Sequence, residues 1–320
     1  MHGWTVGVDF GGTNIKVGLV TGTGRVEGDA MLLTREHATP TRFLNGLHDT
    51  IERLGKRLGR RIALRGVGVG APGLIDGERG VIYRLVNVPG GWRGVPLQRL
   101  LEQRFRSPCA VDNDVNAVAL GEWRFGAGRG TRHSVYITLG TGVGGGLVVN
   151  GQLVRGAIGS AGEVGHMKIA LTGPRCGCGS RGCLEAFIGT AAILRLARGA
   201  MRRGSRILRR LATEHHGRLT PELISEAARR GDRAALRTWH EVGSYLGLGL
   251  ASVINLLNPE RIVIGGGVSK AWPYFASRLT ATIRTHAFED PLAACRILPA
   301  TLGERGGIVG AAILVWERAK

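Results

Sequence analysis

Three cysteines lie within the eight residues of CGCGSRGC, from Cys176 to Cys183, in a chain that has only five cysteines. Such a cluster could form a disulfide, a redox pair or a metal site. The spacings are C-x-C and C-x₄-C, so the C-x-x-C motif of thioredoxin-type proteins is absent. Three thiolates need a fourth ligand to complete a tetrahedral zinc site, and His166 lies ten residues before Cys176.

Glycine-rich turns follow several apolar strand patterns, and such turns bring backbone N–H groups close to phosphate oxygens. The turns are Gly11-Gly12-Thr13, Gly140 to Gly146 (which includes Thr141 and Gly142), and Gly265-Gly266-Gly267. The P-loop pattern is absent. Gly140, Gly142 and Gly145 match G-x-G-x-x-G, but a strand pattern follows where a dinucleotide site requires a helix. Each turn alone could be a plain β-turn, whereas the three together favour a nucleotide site.

Two charged residues flank the first glycine turn. Asp9 could hold Mg²⁺ through water, because this ion takes few carboxylates and keeps its waters, or it could cap the turn. Lys16 could face the phosphates or the solvent, since it lies within a strand pattern.

The run Asp112-Asn113-Asp114 directly precedes a helical pattern. Asn and Asp are preferred N-cap residues, so the run could simply start the helix. Alternatively, one carboxylate projects from the helix start as a general base, kept ionised by the helix dipole.

The pattern of elements predicts an α/β protein. Its 320 residues exceed one usual core, so two domains are expected. Strand patterns cover Thr5–Val20 in two parts, Arg25–Leu33, Arg65–Leu74, Cys109–Val111, Ser134–Val154, Arg261–Ser269 (leading into a helix) and Arg296–Pro299. Helical patterns cover Pro40–Leu58, Leu97–Phe105, Asn116–Phe125, most of Glu185–Asn258, and Gly306–Trp316. The strand-turn-strand segment at 134–154 repeats the design of 5–20, which suggests a duplicated α/β unit with a cleft between the copies.

The net charge of +19 could indicate a nucleic-acid binder, but arginine bias explains it better. Only five lysines are present, and neither an aromatic-basic platform nor a zinc-finger spacing accompanies the charge. The densest basic stretch, Arg195–Arg210, is predicted to be one solvated amphipathic helix. No signal peptide is indicated, and Val242–Pro259 fits a buried helix, so the sequence predicts a soluble cytoplasmic protein without membrane or nucleic-acid partners. Reduced thiols in that compartment argue against a disulfide.

An ordered set of motifs over about Val6 to Ala312 resembles the ROK family of sugar kinases and repressors. The motifs are VGVDFGGTNIKVGLV, GVGAPGLID, VDNDVNAVALGE, LGTGVGGGLVVNGQL, GSAGEVGHM, CGCGSRGCLE and NPERIVIGGGVS. The similarity is strongest to the ATP-dependent glucokinases of the family.

The resemblance implies an actin-like, ribonuclease H-like fold of two α/β domains, with ATP between them and the sugar deeper in the cleft. We expect domains at 1–118 and 119–303, with a closing helix at 304–320 packing on the first. The implied reaction is ATP-dependent phosphorylation of a hexose 6-hydroxyl, most simply that of glucose, with Mg²⁺. Kinases for N-acetylmannosamine, N-acetylglucosamine, mannose or allose, and a sugar-responsive regulator, are the alternatives. The chain starts its first strand without a preceding helix-turn-helix, which favours the kinase.

The resemblance also implies roles for individual residues. Asp114 matches the catalytic base and Asn113 a sugar ligand. The other implied sugar-binding residues are Gly73, Asn87, Glu163, His166 and Glu185. The family's Asn-x-Pro-Gly-Trp loop, which contains Asn87, reads NVPGGW here, with one additional glycine.

The resemblance makes structural zinc the favoured interpretation of the cysteine cluster, with His166, Cys176, Cys178 and Cys183 as ligands. A Cys₃His site is closed, so it would be structural rather than catalytic, and its ligands bracket Glu163 and Glu185. Cys109 and Cys295 are expected to be ordinary buried cysteines. The family also implies a homodimer, with a tetramer as the alternative.

Overall fold

The computed structural model describes residues 3–59, 62–86 and 88–318. The fold is mixed α/β with three sheets, and the chain divides into two compact units. The first unit comprises Met1–Tyr136, Gly146–Gly162 and Ala300–Lys320, and the second comprises Ile137–Gly145 and Glu163–Pro299. Among the described residues, no helix has both the length and the apolar character needed to cross a bilayer.

Twelve strands and eleven α-helices make up the described chain. The strands are β1 Trp4–Phe10, β2 Asn14–Val20, β3 Val26–Leu33, β4 Leu64–Ala71, β5 Gly73–Asp76, β6 Val81–Leu85, β7 Cys109–Asn113, β8 Ser134–Leu139, β9 Val143–Val149, β10 Gln152–Leu153, β11 Arg261–Gly265 and β12 Arg296–Pro299. The helices are α1 Pro40–Arg57, α2 Leu97–Phe105, α3 Asp114–Phe125, α4 Glu185–Ile188, α5 Thr190–Arg202, α6 Arg206–Glu214, α7 Pro221–Arg229, α8 Arg233–Leu257, α9 Trp272–His286, α10 Glu289–Ala294 and α11 Gly306–Arg318.

The sheet of the first unit has the order β3-β2-β1-β4-β7. β1, β2 and β3 are antiparallel neighbours, whereas β4 runs parallel to both β1 and β7. Because side chains alternate along a strand, Val6 and Val8 of β1 point to the face that carries Phe43 and Leu47 of α1. The opposite face of β1 and β4 carries α11, so the central strands are buried on both faces.

Glycines let the backbone of α11 come into direct contact with the backbones of the sheet and of α3. A Cβ added to Gly7 would lie 1.9 Å from the carbonyl oxygen of Ile308, and one added to Gly68 would lie 1.7 Å from that of Ala311. A Cβ on Gly310 would lie 1.6 Å from the carbonyl oxygen of Ala117 in α3. These contacts leave no room for a side chain, so glycine at these positions fixes how closely α11 packs.

We expect Gly310→Ala to destabilise the protein by about 1–3 kcal/mol, a typical cost of overpacking. The sign is diagnostic, because the same change in an open helix favours folding by about 1 kcal/mol. Urea unfolding measures the difference. Gly306→Ala is the matched control in the same helix, since its Cβ would meet nothing closer than Leu302 Cβ at 3.7 Å. Equal stability of the two variants would contradict the packing argument.

The second sheet has the order β10-β9-β8-β11-β12, with β9 and β10 antiparallel and β11 and β12 parallel. Asp232 is the N-cap residue of the long helix α8, and its carboxylate accepts hydrogen bonds from the amides of Ala234 (2.9 Å) and Ala235 (3.0 Å). The helix ends at Asn258, which adopts the left-handed conformation with φ 43°. α8 packs along α9 and contains most of the apolar run that the sequence indicates to be a buried helix.

The prediction of one helix over Arg195–Arg210 is wrong. α5 ends at Arg202 and α6 begins at Arg206, and Gly204 between them has φ +103°, which interrupts a helix. The buried carboxylate of Asp232 fixes this break, because it accepts hydrogen bonds from the Ser205 hydroxyl and the Leu208 amide. The arginines of both helices are exposed, as expected for solvated faces.

Candidate functional site

The first glycine turn, Gly11-Gly12-Thr13, joins β1 to β2. The Gly11 amide donates to the Asn14 carbonyl over 3.0 Å, and the Thr34 hydroxyl donates to the Gly11 carbonyl over 2.8 Å. The Thr34 amide donates to the Thr13 carbonyl over 3.0 Å. Gly12 and Thr13 are exposed at the tip. The base of this turn is therefore fixed, while its tip is accessible to a ligand.

Asp9 and Lys16 lie opposite each other on β1 and β2. Burial raises the pKa of Asp9, and the nearby charge of Lys16 partly opposes this. The Asp9 carboxyl lies against the first turn of α11, since a Cβ on Gly307 would be 2.6 Å from Asp9 Cγ. Lys16 Nζ lies 3.5 Å from Glu304 Oε2, so this lysine has a carboxylate partner in the first unit.

In the run Asp112-Asn113-Asp114, one residue caps α3 and a different residue is the candidate catalytic base. Asn113 is the N-cap residue of α3: its Oδ1 accepts hydrogen bonds from the amides of Val115 (2.9 Å) and Asn116 (3.4 Å). Asp114 is the first residue of the helix, and its Oδ1 shares the Val115 amide at 3.0 Å. The carboxylate of Asp114 therefore lies at the positive end of the α3 dipole.

Gly73 lies beside Asn113 in the first unit. The Asn113 side-chain amide donates to the Gly73 carbonyl over 3.2 Å. Gly73 has φ +124°, and a Cβ there would lie 2.2 Å from the Arg84 carbonyl oxygen, so the position accepts only glycine. Asn87 lies outside the described residues, and its sugar-binding role stays a prediction.

Asp112 forms a buried network that the sequence did not indicate. Only 2% of the residue is exposed, and its Oδ1 accepts hydrogen bonds from the Asn113 amide (2.7 Å) and the Asn116 side-chain amide (2.9 Å). Its Oδ2 accepts a hydrogen bond from Arg155 Nε at 2.6 Å. Since 43 positions separate Asp112 and Arg155, no local spacing signal could have paired them.

The second glycine turn, which joins β8 to β9, is held at both ends within the second unit. The Thr190 hydroxyl donates to the Gly140 carbonyl over 2.7 Å, and Glu185 Oε2 accepts from the Val143 amide at 3.0 Å. Thr141 at the tip is exposed. A Cβ on Gly142 would lie 2.5 Å from Glu185 Oε2, so glycine lets that carboxylate reach the turn.

The third glycine turn, Gly265-Gly266-Gly267, leaves β11, the sheet neighbour of β8. Gly266 has φ +87°, and a Cβ there would lie 2.3 Å from the Leu139 carbonyl oxygen at the end of β8. Gly266 and Gly267 are exposed, and a 3₁₀ turn leads directly into α9. The second and third turns therefore lie side by side at one edge of this sheet.

The three clustered cysteines and His166 converge in the second unit. Their ligand atoms all lie within 4.8 Å of one another, with Cys176 Sγ 3.6 Å from His166 Nδ1 and Cys178 Sγ 3.7 Å from Cys183 Sγ. Tetrahedral zinc with Zn–S of about 2.3 Å and Zn–N of about 2.0–2.1 Å requires S···S of about 3.8 Å and S···N of about 3.6 Å. The donor set and its spacing therefore fit zinc.

The environment of the cluster shifts the pKa values of Cys176 and Cys178 in opposite directions. Burial raises the pKa of the Cys176 thiol to about 12, whereas the backbone amide of Ser180 lowers that of the exposed Cys178 thiol. Lys168 Nζ donates a hydrogen bond to Cys183 Sγ over 2.9 Å, and this contact raises the pKa of the lysine. A metal must therefore displace a tightly held proton from Cys176 when it binds.

The two candidate sugar-binding carboxylates lie next to the cysteine cluster. Glu163 is exposed, and its Oε2 lies 3.7 Å from His166 Nε2. Glu185 is half-buried, and its Oε1 lies 3.3 Å from Cys176 Sγ. Each carboxylate is thus in contact with a residue of the cluster.

Comparison with known proteins assigns the chain to a family. The ROK family model matches residues 5–318. A glucokinase from Halalkalibacterium halodurans is 38% identical over 317 residues, which cover 98% of this chain and 96% of the relative. A xylose repressor from Caldicellulosiruptor bescii is 31% identical over 98% of this chain and 78% of the repressor.

The fold agrees with that assignment. A ROK family glucokinase from Streptomyces griseus, solved in complex with glucose and AMPPNP, superposes with a TM-score of 0.84 at 34% identity, covering 98% of this chain and 100% of that structure. The α/β, actin-like fold class predicted from the sequence is confirmed. Matched over nearly its whole length in both sequence and fold, the chain belongs to the ROK family.

Proposed function

We propose that the protein transfers the γ-phosphoryl group of ATP to the 6-hydroxyl of a hexose, with glucose as the substrate. The observation that carries this proposal is the match to a glucokinase over 98% of this chain and 96% of the relative at 38% identity. The identity to the xylose repressor is lower, 31%. A structural relative that binds glucose and AMPPNP supports the same pair of substrates.

Asp114 is the general base in this proposal. A base must be ionised when the sugar binds, and the start of α3 provides the positive dipole that favours the carboxylate. Because Asn113 caps the helix, the capping requirement of α3 is met by a neighbouring side chain. Asp114 accepts the proton of the 6-hydroxyl as that oxygen attacks the phosphoryl group.

The glycine turns bind the phosphates of ATP through backbone N–H groups. The exposed glycines Gly12 and Gly266 can approach phosphate oxygens without a side-chain clash, and Thr141 is exposed at the tip of the second turn. Asp9 would hold Mg²⁺ through water molecules, and the bound ion neutralises charge on the phosphates. Lys16 contributes positive charge on the strand that follows the first turn.

In this proposal the sugar hydroxyls are bound by Asn113, Glu163, His166 and Glu185, and Gly73 and Asn87 also contribute to sugar binding. Glu163 and Glu185 flank the cysteine cluster in sequence, and each touches one of its members. We propose that His166, Cys176, Cys178 and Cys183 hold structural Zn²⁺. The ion would fix the glycine-rich segment that presents both carboxylates.

An assay that measures formation of the sugar phosphate, over a panel of hexoses and N-acetylated hexoses with ATP or polyphosphate as donor, tests the reaction; with ATP, release of ADP reports the same step. We expect the highest kcat/KM for glucose with ATP, since kcat/KM measures discrimination between transition states. A higher kcat/KM for an N-acetylated hexose would show that this sugar, and not glucose, is the substrate. The assignment as a kinase would still hold.

The second candidate is a sugar-responsive regulator, favoured by the net charge of +19 and the repressor relative. A gel shift at physiological salt, run beside the kinase assay, separates the two. Salt-resistant DNA binding, together with no release of ADP in the presence of any sugar, would overturn the assignment as a kinase.

We also propose that the protein acts in the cytoplasm as a homodimer. All five cysteines are free in the described structure, which suits a reducing compartment. Light scattering of the purified protein measures the oligomeric state, and a mass of one chain or of four would contradict the dimer.

A further inference from the structure

The ion pair between Asp112 and Arg155 has no part in the function proposed above, yet it lies directly under the start of α3. Arg155 Nε donates to Asp112 Oδ2 over 2.6 Å, and the Asp112 side chain is only 3% exposed. A carboxylate this deeply buried needs a charge partner, because removing one member of a buried ion pair leaves an uncompensated charge and is strongly destabilising. Among the described residues, Arg155 is the only cation within 4 Å of it that the structure records.

The two oxygens of Asp112 have different partners. Oδ2 takes the hydrogen bond from Arg155, while Oδ1 accepts from the Asn113 amide at 2.7 Å and the Asn116 side chain at 2.9 Å. Asn113 and Asn116 lie on either side of Asp114 in the sequence. The orientation of the Asp112 carboxylate therefore determines how the residues around Asp114 are held.

Arg155 is itself held in place. Its carbonyl oxygen accepts from the Ala161 amide at 2.9 Å, which closes the loop that begins after β10. Gly77 packs against the ion pair: a Cβ there would lie 2.8 Å from Asp112 Oδ2 and 2.9 Å from Arg155 Nε. The Arg155 side chain thus extends from a backbone that a hydrogen bond holds in place, and its guanidinium is paired with Asp112.

We propose that Arg155 is a positioning residue for Asp114 and that it acts through Asp112. The carboxylate of Asp112, fixed by Arg155, holds the first turn of α3 so that Asp114 keeps the geometry needed to accept the hydroxyl proton. This inference rests on the proposed role of Asp114. A positioning role differs from a general stabilising role in its kinetic signature, because it affects kcat far more than the KM values.

Arg155→Met should lower kcat by about tenfold to a hundredfold, since small displacements of reacting groups can cost that much. The KM values for sugar and ATP should stay within about twofold, because the ground-state contacts are retained. Arg155→Lys should recover most of the rate, as it keeps the positive charge. In an Asp112→Asn background, Arg155→Met should cause little further loss, as expected for residues that act as one unit.

A readout that does not depend on kinase activity is hydrogen exchange of the Asn113, Val115 and Asn116 amides. Exchange should be faster in Arg155→Met than in the wild type, because the Asp112 carboxylate loses its anchor. Gly77→Ala is a second variant that keeps both charges but inserts a methyl group against the ion pair. It should lower kcat, as Arg155→Met does. Arg318→Met is the control, since Arg318 donates to the carbonyls of Gly77 and Glu78 in the same cavity of 260 Å³.

Unchanged kcat and unchanged amide exchange in Arg155→Met would overturn the inference. So would a rise in KM at constant kcat, or an equal effect of Arg318→Met. If Arg155→Met does not fold, Gly77→Ala decides by the same criteria. Failure of the proposed function itself is seen separately: it would appear as wild-type kcat in Asp114→Asn or as no sugar-dependent ADP release at all.

Discussion

Asp114→Asn lowers kcat by about 10²–10⁴, the usual contribution of a general base. Asn has almost the same shape as Asp but cannot accept the hydroxyl proton. The start of α3 tolerates the change, because Asn113 and not Asp114 is the N-cap residue. Sugar affinity should therefore change little, while the rate falls.

Steady-state kinetics measure kcat, and calorimetry measures glucose affinity independently of turnover. Asp29→Asn is the matched control: it removes the same charge from the same unit, at a side chain that is 57% exposed on β3 and pairs only loosely with Arg305 at 4.0 Å. We expect wild-type kinetics for this control. A nearly wild-type kcat for Asp114→Asn would refute its assignment as the base.

The alternation and length of apolar runs predicted most of the regular elements. The strands β1 and β2, the helices α1 and α2, and the closing helix α11 lie where the sequence patterns place them. The hairpin of β5 and β6 was missed, because its strands have only four and five residues, and β6 exposes two of its five, Tyr83 and Arg84. Such short strands lack enough periodicity to distinguish them from a loop.

The wrong single helix over Arg195–Arg210 has a different cause. Leu196, Met201, Ile207 and Leu208 fit one helical face, so the amphipathic pattern continues across the break. Gly204 was the local signal of an interruption. The carboxylate of Asp232, which caps α8 and also holds Ser205, comes from much later in the chain and could not be anticipated.

For the candidate site, local spacing identified the turns and the helix start but not their long-range partners. The sequence did not decide whether Lys16 faces the phosphates or the solvent. Its ion pair with Glu304 forms only because the segment before α11 lies next to β2 in the fold. Arg155 was missed for the same reason. Glu185 accepts hydrogen bonds from the Val143 amide and from the Cys176 thiol, and these bonds likewise join segments that only the fold brings together.

We expect Cys178→Ser to abolish the proposed zinc binding and to raise the sugar KM or lower kcat by about a hundredfold, because positioning groups are displaced. Cys178 is the best ligand to change because its side chain is exposed, so serine costs little packing. Loss of the ion would release the segment that carries Glu163 and Glu185. The melting temperature should also fall, since metal binding energy contributes to folding.

Elemental analysis of the purified protein should find one zinc per chain in the wild type and none in Cys178→Ser. Cys295→Ala is the control, since Cys295 is a buried cysteine of the same unit outside the cluster and should leave the zinc content unchanged. Two outcomes contradict the proposal: zinc retained by Cys178→Ser, or zinc lost without any change in kinetics. The second would mean that Glu163 and Glu185 are held by the protein alone, through contacts such as that of Glu185 with the Val143 amide.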